Sequence, residues 1–386
     1  MHLKFNIPYF LFPFLIQIVI AQDFIWEQVN TIPEGYQYVI GSNSNGEMVT
    51  AGVEFSDDYP MQIHYRSSEG AWNQISGVGL AASMVESIHI TDEQVIYTCD
   101  FAMGLFRSYD LGQNWTGVAE LVGNGCSAFN IHENGMLFIG LTYTFGFIHY
   151  SLDNGESWIE TPLPDYSSSY PVEHIEFDSQ GNIYLGTING IYRSIDLGES
   201  WQKMNNGLGG AHISSMYIDE HDHIYVYTTY SATTDGLYYS TNYGESWTSI
   251  PLTNSFYYVL DMVVKNQVIY ALSSLSNFLI STDMGLNWIY ANDGINDNSL
   301  YSLHLSLDGF LFVGGRYLHR STQNISGNIV GDLNLDDIIN ILDVIEMISL
   351  IVENSAYHEL ADLNNDGLVN VVDVIQLVNI ILSHNE

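Results

Sequence analysis

Six residues near the C-terminus have the types and the spacing to hold a hard cation. In "DLNNDGLVNVVD", Asp362, Asn364 and Asp366 stand at alternate positions, Leu368 follows, and Asn370 and Asp373 complete the set. Oxygens at positions 1, 3, 5 and 9, a backbone carbonyl at 7 and a carboxylate at 12 can wrap one calcium ion, and a glycine at 6 makes the sharp turn. Gly367 is that glycine. The same order stands thirty residues earlier in "DLNLDDIINILD", with Asp332, Asn334, Asp336, Ile338, Asn340 and Asp343. Asp337 takes the glycine place there. Aspartate enters left-handed φ less freely than glycine, so the first loop is expected to bind its ion more weakly.

A second set recurs through the rest of the chain. "SYDLGQNW" starts at Ser108, "SLDNGESW" at Ser151, "SIDLGESW" at Ser194 and "STDMGLNW" at Ser281. "STNYGESW" at Ser240 puts Asn242 in the aspartate place. Shortened copies, "RSSEGAW" and "RSTQN", start at Arg66 and Arg320. The serines at 67, 108, 151, 194, 240, 281 and 321 are 40 to 46 residues apart. This chemistry braces a turn: Ser and Asp bond local backbone groups, Gly allows positive φ, and Trp starts the next strand and wedges against a neighbour. Asp110, Asp153, Asp196 and Asp283 are therefore read as structural.

The elements around each box are short. "VEHIEFD", "NIYLGT", "IYRS" and "SWQKM" alternate apolar and polar residues between Gly, Asn and Asp turns, which is the pattern of a β-meander. Four strands at this period make a propeller blade. The seven tryptophans count the blades. Six of them end a box, whereas Trp26 has no box before it and the last box has no Trp after it. "FIWEQV" is thus expected to supply the outer strand of a blade whose other three strands lie at about 299–322. The fold expected is an all-β seven-bladed propeller over residues 22–324. In these boxes the chain resembles the Asp-box (bacterial neuraminidase repeat) family, whose boxes sit on the blade rim away from the central site. The resemblance covers all seven units and implies a fold, because many chemistries share it. Sialidases of this fold clamp a carboxylate with three arginines. This chain has five, and Arg66, Arg107, Arg193 and Arg320 each precede a box serine, leaving Arg316 elsewhere. That composition speaks against a sialidase.

Residues 1–21 carry Lys4, an apolar run and Ala21, which reads as a secretory signal cut before Gln22. The alternative, a membrane anchor, is opposed by a short run with two prolines and no basic flank. No membrane insertion is expected after cleavage, and the protein is expected to be secreted or held at a cell surface. The 386 residues include 45 acidic and 8 basic ones, a net charge of −37. Such a balance argues against nucleic acid and anionic membranes. It suits calcium, a salty medium or both. Export permits a disulfide between Cys99 and Cys126, with two buried thiols as the alternative; their places in neighbouring loops favour the bond. Asn114 and Asn324 open glycosylation sequons.

After "QNISGN" the composition changes, with 325–330 read as a linker and 331–386 as a second module. Each calcium loop runs into an amphipathic helix, "INILDVIEMISLIV" or "NVVDVIQLVNIIL". The loop spacing is that of EF-hands. With Asp at position 12 and two loop–helix units in about 55 residues, the module resembles a type I dockerin. The resemblance implies two calcium ions and docking onto a cohesin module of another protein. The positions that usually steer partner choice, Ile341, Leu342, Val371 and Val372, are all apolar. An intramolecular helical cap is the competing reading.

A propeller takes ligands over its central channel. The sequence places Asp57, Asp58, Tyr59, Asp100, Phe101, Tyr143, Phe145, Asp165, Tyr166, Tyr170, Tyr230, Asp235, Arg316 and Tyr317 in loops of that face. Rings stack on sugars and carboxylates accept hydroxyl bonds. Tyr59, Phe101, Tyr143, Tyr166, Tyr230 and Arg316 are the ligand candidates. Asp57, Asp58 and Asp100 are candidates for the acid and base of glycoside hydrolysis. Three functions follow: a carbohydrate-binding or polysaccharide-degradation component tethered by the dockerin-like module; an O-glycosyl hydrolase resembling propeller endoglucanases; and a cell-surface protein-binding scaffold.

Overall fold

The structure, a computed structural model, describes residues 24–54, 61–68, 70–75, 78–80, 84–118, 121, 123–165, 171–209, 212–229, 235–250, 258–275, 277–297, 299–325, 333, 341–353, 358–363 and 368–383. Two compact units divide the chain, residues 1–323 and 324–386. The signal expected at 1–21 lies outside the described residues. Among the described residues no helix is long and apolar enough to cross a membrane.

Seven four-stranded antiparallel sheets form the first unit. Six are simple meanders, blades one to six in chain order. Their first strands are Gly35–Ser42, Val85–Ile90, Ala128–Ile131, Val172–Phe177, His212–Ile218 and Val259–Lys265. Blade seven joins Ser302–Leu305, Phe310–Gly314 and Leu318–Asn324 to an outer strand from the other end of the chain, Trp26–Gln28. Trp26 stands opposite Ser321 in that pairing. Each first strand contacts the first strands of the two neighbouring blades, so the seven close a ring. This is a seven-bladed β-propeller. Of its second strands, Ile183–Thr187 and Ile224–Thr229 are buried along their whole length. Apolar side chains from adjacent blades meet between the sheets: Phe138, Tyr150, Ile175, Leu185 and Trp201 share one such layer. Truncating a side chain of this kind costs about 3–5 kcal/mol.

The boxes join the third and fourth strands. Ser151 Oγ donates to Asp153 Oδ1 (2.7 Å) and accepts the Gly155 N–H (2.8 Å), while the Ser157 N–H donates to Asp153 Oδ1 (2.9 Å). The boxes at Ser108, Ser194, Ser240 and Ser281 repeat this net, with Asn242 serving as well as an aspartate. Two consecutive residues take left-handed φ in each. Gly155 (86°) is the expected one, but Asn154 (58°) precedes it, and Leu197, Tyr243 and Met284 do the same in their boxes. A leucine or tyrosine gives no sequence signal for that conformation; the serine and aspartate bonds on both sides impose it.

The second unit holds two helices, α1 (Ile341–Glu353) and α2 (Val371–Ser383), and a short 3-10 turn at Glu359–Ala361. Val344, Met347 and Leu377 pack with Leu333, Leu360 and Ala361 in its core.

Candidate functional site

Where the first strands meet, a cavity of about 520 Å³ runs between them, lined by residues of all seven blades. A shared backbone irregularity shapes one end of it. The pairing of first and second strands slips by one residue between Val85 and Ser87, Val172 and His174, and Val259 and Asp261. A bulge leaves one residue unpaired and re-aims its side chain. The residues so freed are Glu86, Glu173 and Leu260, at matching places in blades two, four and six, and all three line the cavity. One step deeper by register stand Ser87, His174, Asp261 and Ser302. Deeper still are His89, Asn130, Glu176, Tyr217, Val263 and His304.

Several of these groups also fasten one blade to the next. Asp261 accepts the Leu303 N–H (2.8 Å), Asn130 Nδ2 donates to the Ile175 carbonyl (2.8 Å), and Ser302 Oγ donates to the Tyr38 carbonyl (2.6 Å). The channel wall is thus a site lining and a ring of fasteners at once.

Its electrostatics are one-sided. Glu86, Glu173, Glu176 and Asp261 line it, and among the described residues no lysine or arginine does. Burial, with Asp261 nearby, pushes Glu176 up to about 8. Burial pushes Asp261 up to about 7, against the two backbone N–H donors that favour its charged form. Glu86 is raised by burial and by the charges of Asp100 and Glu173. Burial drives His89 and His304 down to about 4 and also lowers His174. The imidazoles are therefore neutral near pH 7 and supply no countercharge. Glu173 Oε2 lies 2.6 Å from His212 Nε2, whose Nδ1 meets Thr229 Oγ1 at 2.6 Å.

The loops at the Glu86 end carry exposed rings. Phe101 is 40% exposed, Tyr143 58% and Phe145 40%, with Met84 beside them at 43%. Their loops are bound together: the Phe101 N–H donates to the Met84 carbonyl, and Thr142 Oγ1 donates to the Phe101 carbonyl. Cys99 and Cys126 are disulfide-bonded below them. Asp100 has a different place from the one expected of a catalyst. It is fully buried, and its carboxylate accepts N–H groups of Met84 (2.7 Å), Ala102 (3.0 Å) and Met103 (2.7 Å). It fixes the turn that presents Phe101. Arg316 is ion-paired with Glu34, which also accepts the Tyr317 hydroxyl at 3.0 Å. Asp57, Asp58, Tyr59, Tyr166, Tyr170 and Tyr230 lie outside the described residues.

The channel carboxylates and histidines were not among the sequence candidates. The signal was present in "VEHIEFD", where acidic residues interrupt an inner strand that is otherwise apolar, but only the bulge register shows which of them face inward. The four box arginines are used on the rim and between sheets. Arg66 meets Asp308, Arg107 meets Glu156, Arg193 meets Glu245 and Arg320 meets Glu27.

In the second unit Asp343 and Asp373 are fully buried and Asp362 nearly so. The Leu333 N–H donates to Asp343 (2.8 Å) and the Leu363 N–H to Asp373 (3.0 Å), the same contact in both loops. Residues 324–386 contain no lysine or arginine. Leu368 and Asn370 are described, with Asn370 Nδ2 donating to the Leu368 carbonyl at 3.3 Å. Asp332, Asn334, Asp336, Ile338, Asn340, Asn364 and Asp366 lie outside the described residues. Among the described residues no three His, Cys, Asp or Glu side chains converge to hold a metal.

No protein family matches the chain, and no curated protein sequence does. Solved structures do share its fold. PorZ, a surface component of the type-IX secretion system of Porphyromonas gingivalis, superposes with a TM-score of 0.58 at 14% identity over 77% of this chain and 48% of that one. The GH74 xyloglucanase of Xanthomonas campestris gives 0.52 at 12% identity over 72% and 50%. YCF48 of Cyanidioschyzon merolae gives 0.56 at 14% identity over 77% and 98%. The chain spans about half the length of the first two proteins. At these identities the likeness establishes the propeller and nothing of its chemistry.

Proposed function

We propose that this is a secreted two-module protein whose propeller binds a polysaccharide without cleaving it, and whose C-terminal module tethers it to a partner. The observation that carries the binding reading is the group of exposed rings, Phe101, Tyr143 and Phe145, on hydrogen-bonded loops at the Glu86 end of the channel, with the Cys99–Cys126 bond beside the Phe101 turn. Rings kept in place before a ligand arrives lose little entropy on binding. The repeated boxes support an Asp-box propeller. The two loop–helix segments support a type I dockerin-like module with two calcium ions and a cohesin as partner. Three buried carboxylates in a segment with no lysine or arginine fit a resident cation, because a buried charge needs a counterion. The residues that would hold it are Asp332, Asn334, Asp336, Ile338, Asn340 and Asp343 in one loop, and Asp362, Asn364, Asp366, Leu368, Asn370 and Asp373 in the other.

The test is affinity electrophoresis of the full chain with calcium through gels of plant, algal and bacterial polysaccharides, with new reducing ends counted in parallel. Retardation in one polymer without new ends is expected. No retardation in any polymer would sink the binding reading in favour of a protein-binding scaffold. New ends would support the second reading, a glycoside hydrolase. One observation favours that reading: Glu176, with its raised pKa, is protonated at neutral pH, as a general acid must be.

A further inference from the structure

We infer that the saccharide taken at the Glu86 end of the channel carries positive charge, as in a polymer of unacetylated glucosamine. This rests on the saccharide-binding reading and adds the charge class of the ligand.

Glu86 and Glu173 are set at the mouth by bulges in two different blades, so two carboxyl groups face the same opening. Asp261 stands deeper on the same wall, beside Glu176, which is protonated at neutral pH and adds no charge there. Among the described residues no lysine or arginine reaches them: every described arginine is paired with a carboxylate elsewhere. Lys265 is beside Glu220, and Lys203 lies over the Tyr192 ring. The lining histidines are held neutral by burial. Glu173 is hydrogen-bonded to His212 Nε2 at 2.6 Å, and burial and the charges of Asp100 and Glu173 oppose the ionisation of Glu86, so like charges at the opening repel one another. A ligand ammonium relieves that repulsion, whereas a uronate or sulfate adds to it. The rings of Phe101 and Tyr143 serve such a ligand twice, stacking on the sugar face and attracting its cation.

The test is titration calorimetry of the full chain with calcium at physiological salt. Three probes are used: oligoglucosamine, its N-acetylated counterpart and oligogalacturonate. Oligoglucosamine is expected to bind about tenfold more tightly than the acetylated form, with oligogalacturonate silent. The double variant Glu86→Gln/Glu173→Gln should lose about tenfold for oligoglucosamine and little for the acetylated form. A control of equal charge change, Glu93→Gln/Glu199→Gln, alters exposed carboxylates on a hairpin turn and on a box. It should lose less than about twofold. Equal affinity for the amine and the acetylated probe would leave saccharide binding standing and overturn the charge class. Equal losses in the two double variants would mean diffuse attraction to an acidic protein, and would overturn it too. Binding of none of the three, with no retardation in any gel, would remove both readings.

Discussion

The Leu303 backbone N–H donates to the Asp261 carboxylate at 2.8 Å, so a side chain of blade six holds the inner strand of blade seven. The fastener is a group whose ionisation burial opposes. Asp261 and Glu176 have folded pKa values of about 7 and about 8, above those of an unfolded chain. Between the unfolded and folded values the native state binds more protons than the unfolded one. The stability these two groups contribute is full below about pH 4 and is lost as pH rises to about 8. Melting temperatures measured across that range should fall on the alkaline side. The variant Glu176→Gln/Asp261→Asn should show a shallower fall, and an unchanged slope would refute the assignment.

The boxes predict the opposite limb. Hydrogen bonds from Ser157 and Ser151 hold Asp153 down at about 2, and Asp110 and Asp196 are also lowered. Their contribution is present above the usual carboxylate range and is lost as pH falls toward about 2. Ser151→Ala removes the acceptor of the buried Gly155 N–H and should cost about 1–3 kcal/mol, read as a lower urea midpoint. Saccharide affinity should not change. A loss of binding without a loss of stability would mean that the boxes belong to the site.

Reduction of the Cys99–Cys126 bond releases a link across 27 residues of sequence and should cost about 3–4 kcal/mol. It also frees the loops under Phe101. Cys126→Ser is therefore expected to weaken saccharide binding in protein that is still folded. Full affinity in a destabilised variant would separate the bond from the site.

Removing calcium should act on the second unit alone. With a chelator the helical far-ultraviolet signal of α1 and α2 should fall while the propeller's melting transition stays in place, because the proposed cation balances the buried carboxylates of Asp343 and Asp373. Asp373→Ala should abolish the tighter of two sites in a calorimetric titration. Helices indifferent to the chelator would contradict the calcium assignment.

Much of the propeller was legible because its signals are local and repeated. The box at Ser194 contains the serine, aspartate and glycine that form its own turn, and seven tryptophans counted seven blades. The left-handed φ of Leu197 was not legible, since nothing in a leucine favours it. Phe101 and Tyr143 could be assigned to one face from loop positions. The burial of Asp100 could not, because three N–H groups from its own turn and the neighbouring segment decide it.

What the sequence by itself determined was the unit: strand period, turn chemistry, the number of repeats and the spacing of side-chain oxygens near the C-terminus. All of these depend on residues within a few positions of one another. Only the tertiary structure decided the channel. Glu86, Glu173, Glu176 and Asp261 are up to 175 residues apart, and each is unremarked in its own strand. They become one acidic wall because a one-residue slip in pairing turns some side chains inward and because seven inner strands close a ring. Ring closure is a non-local event, and no window of sequence contains it.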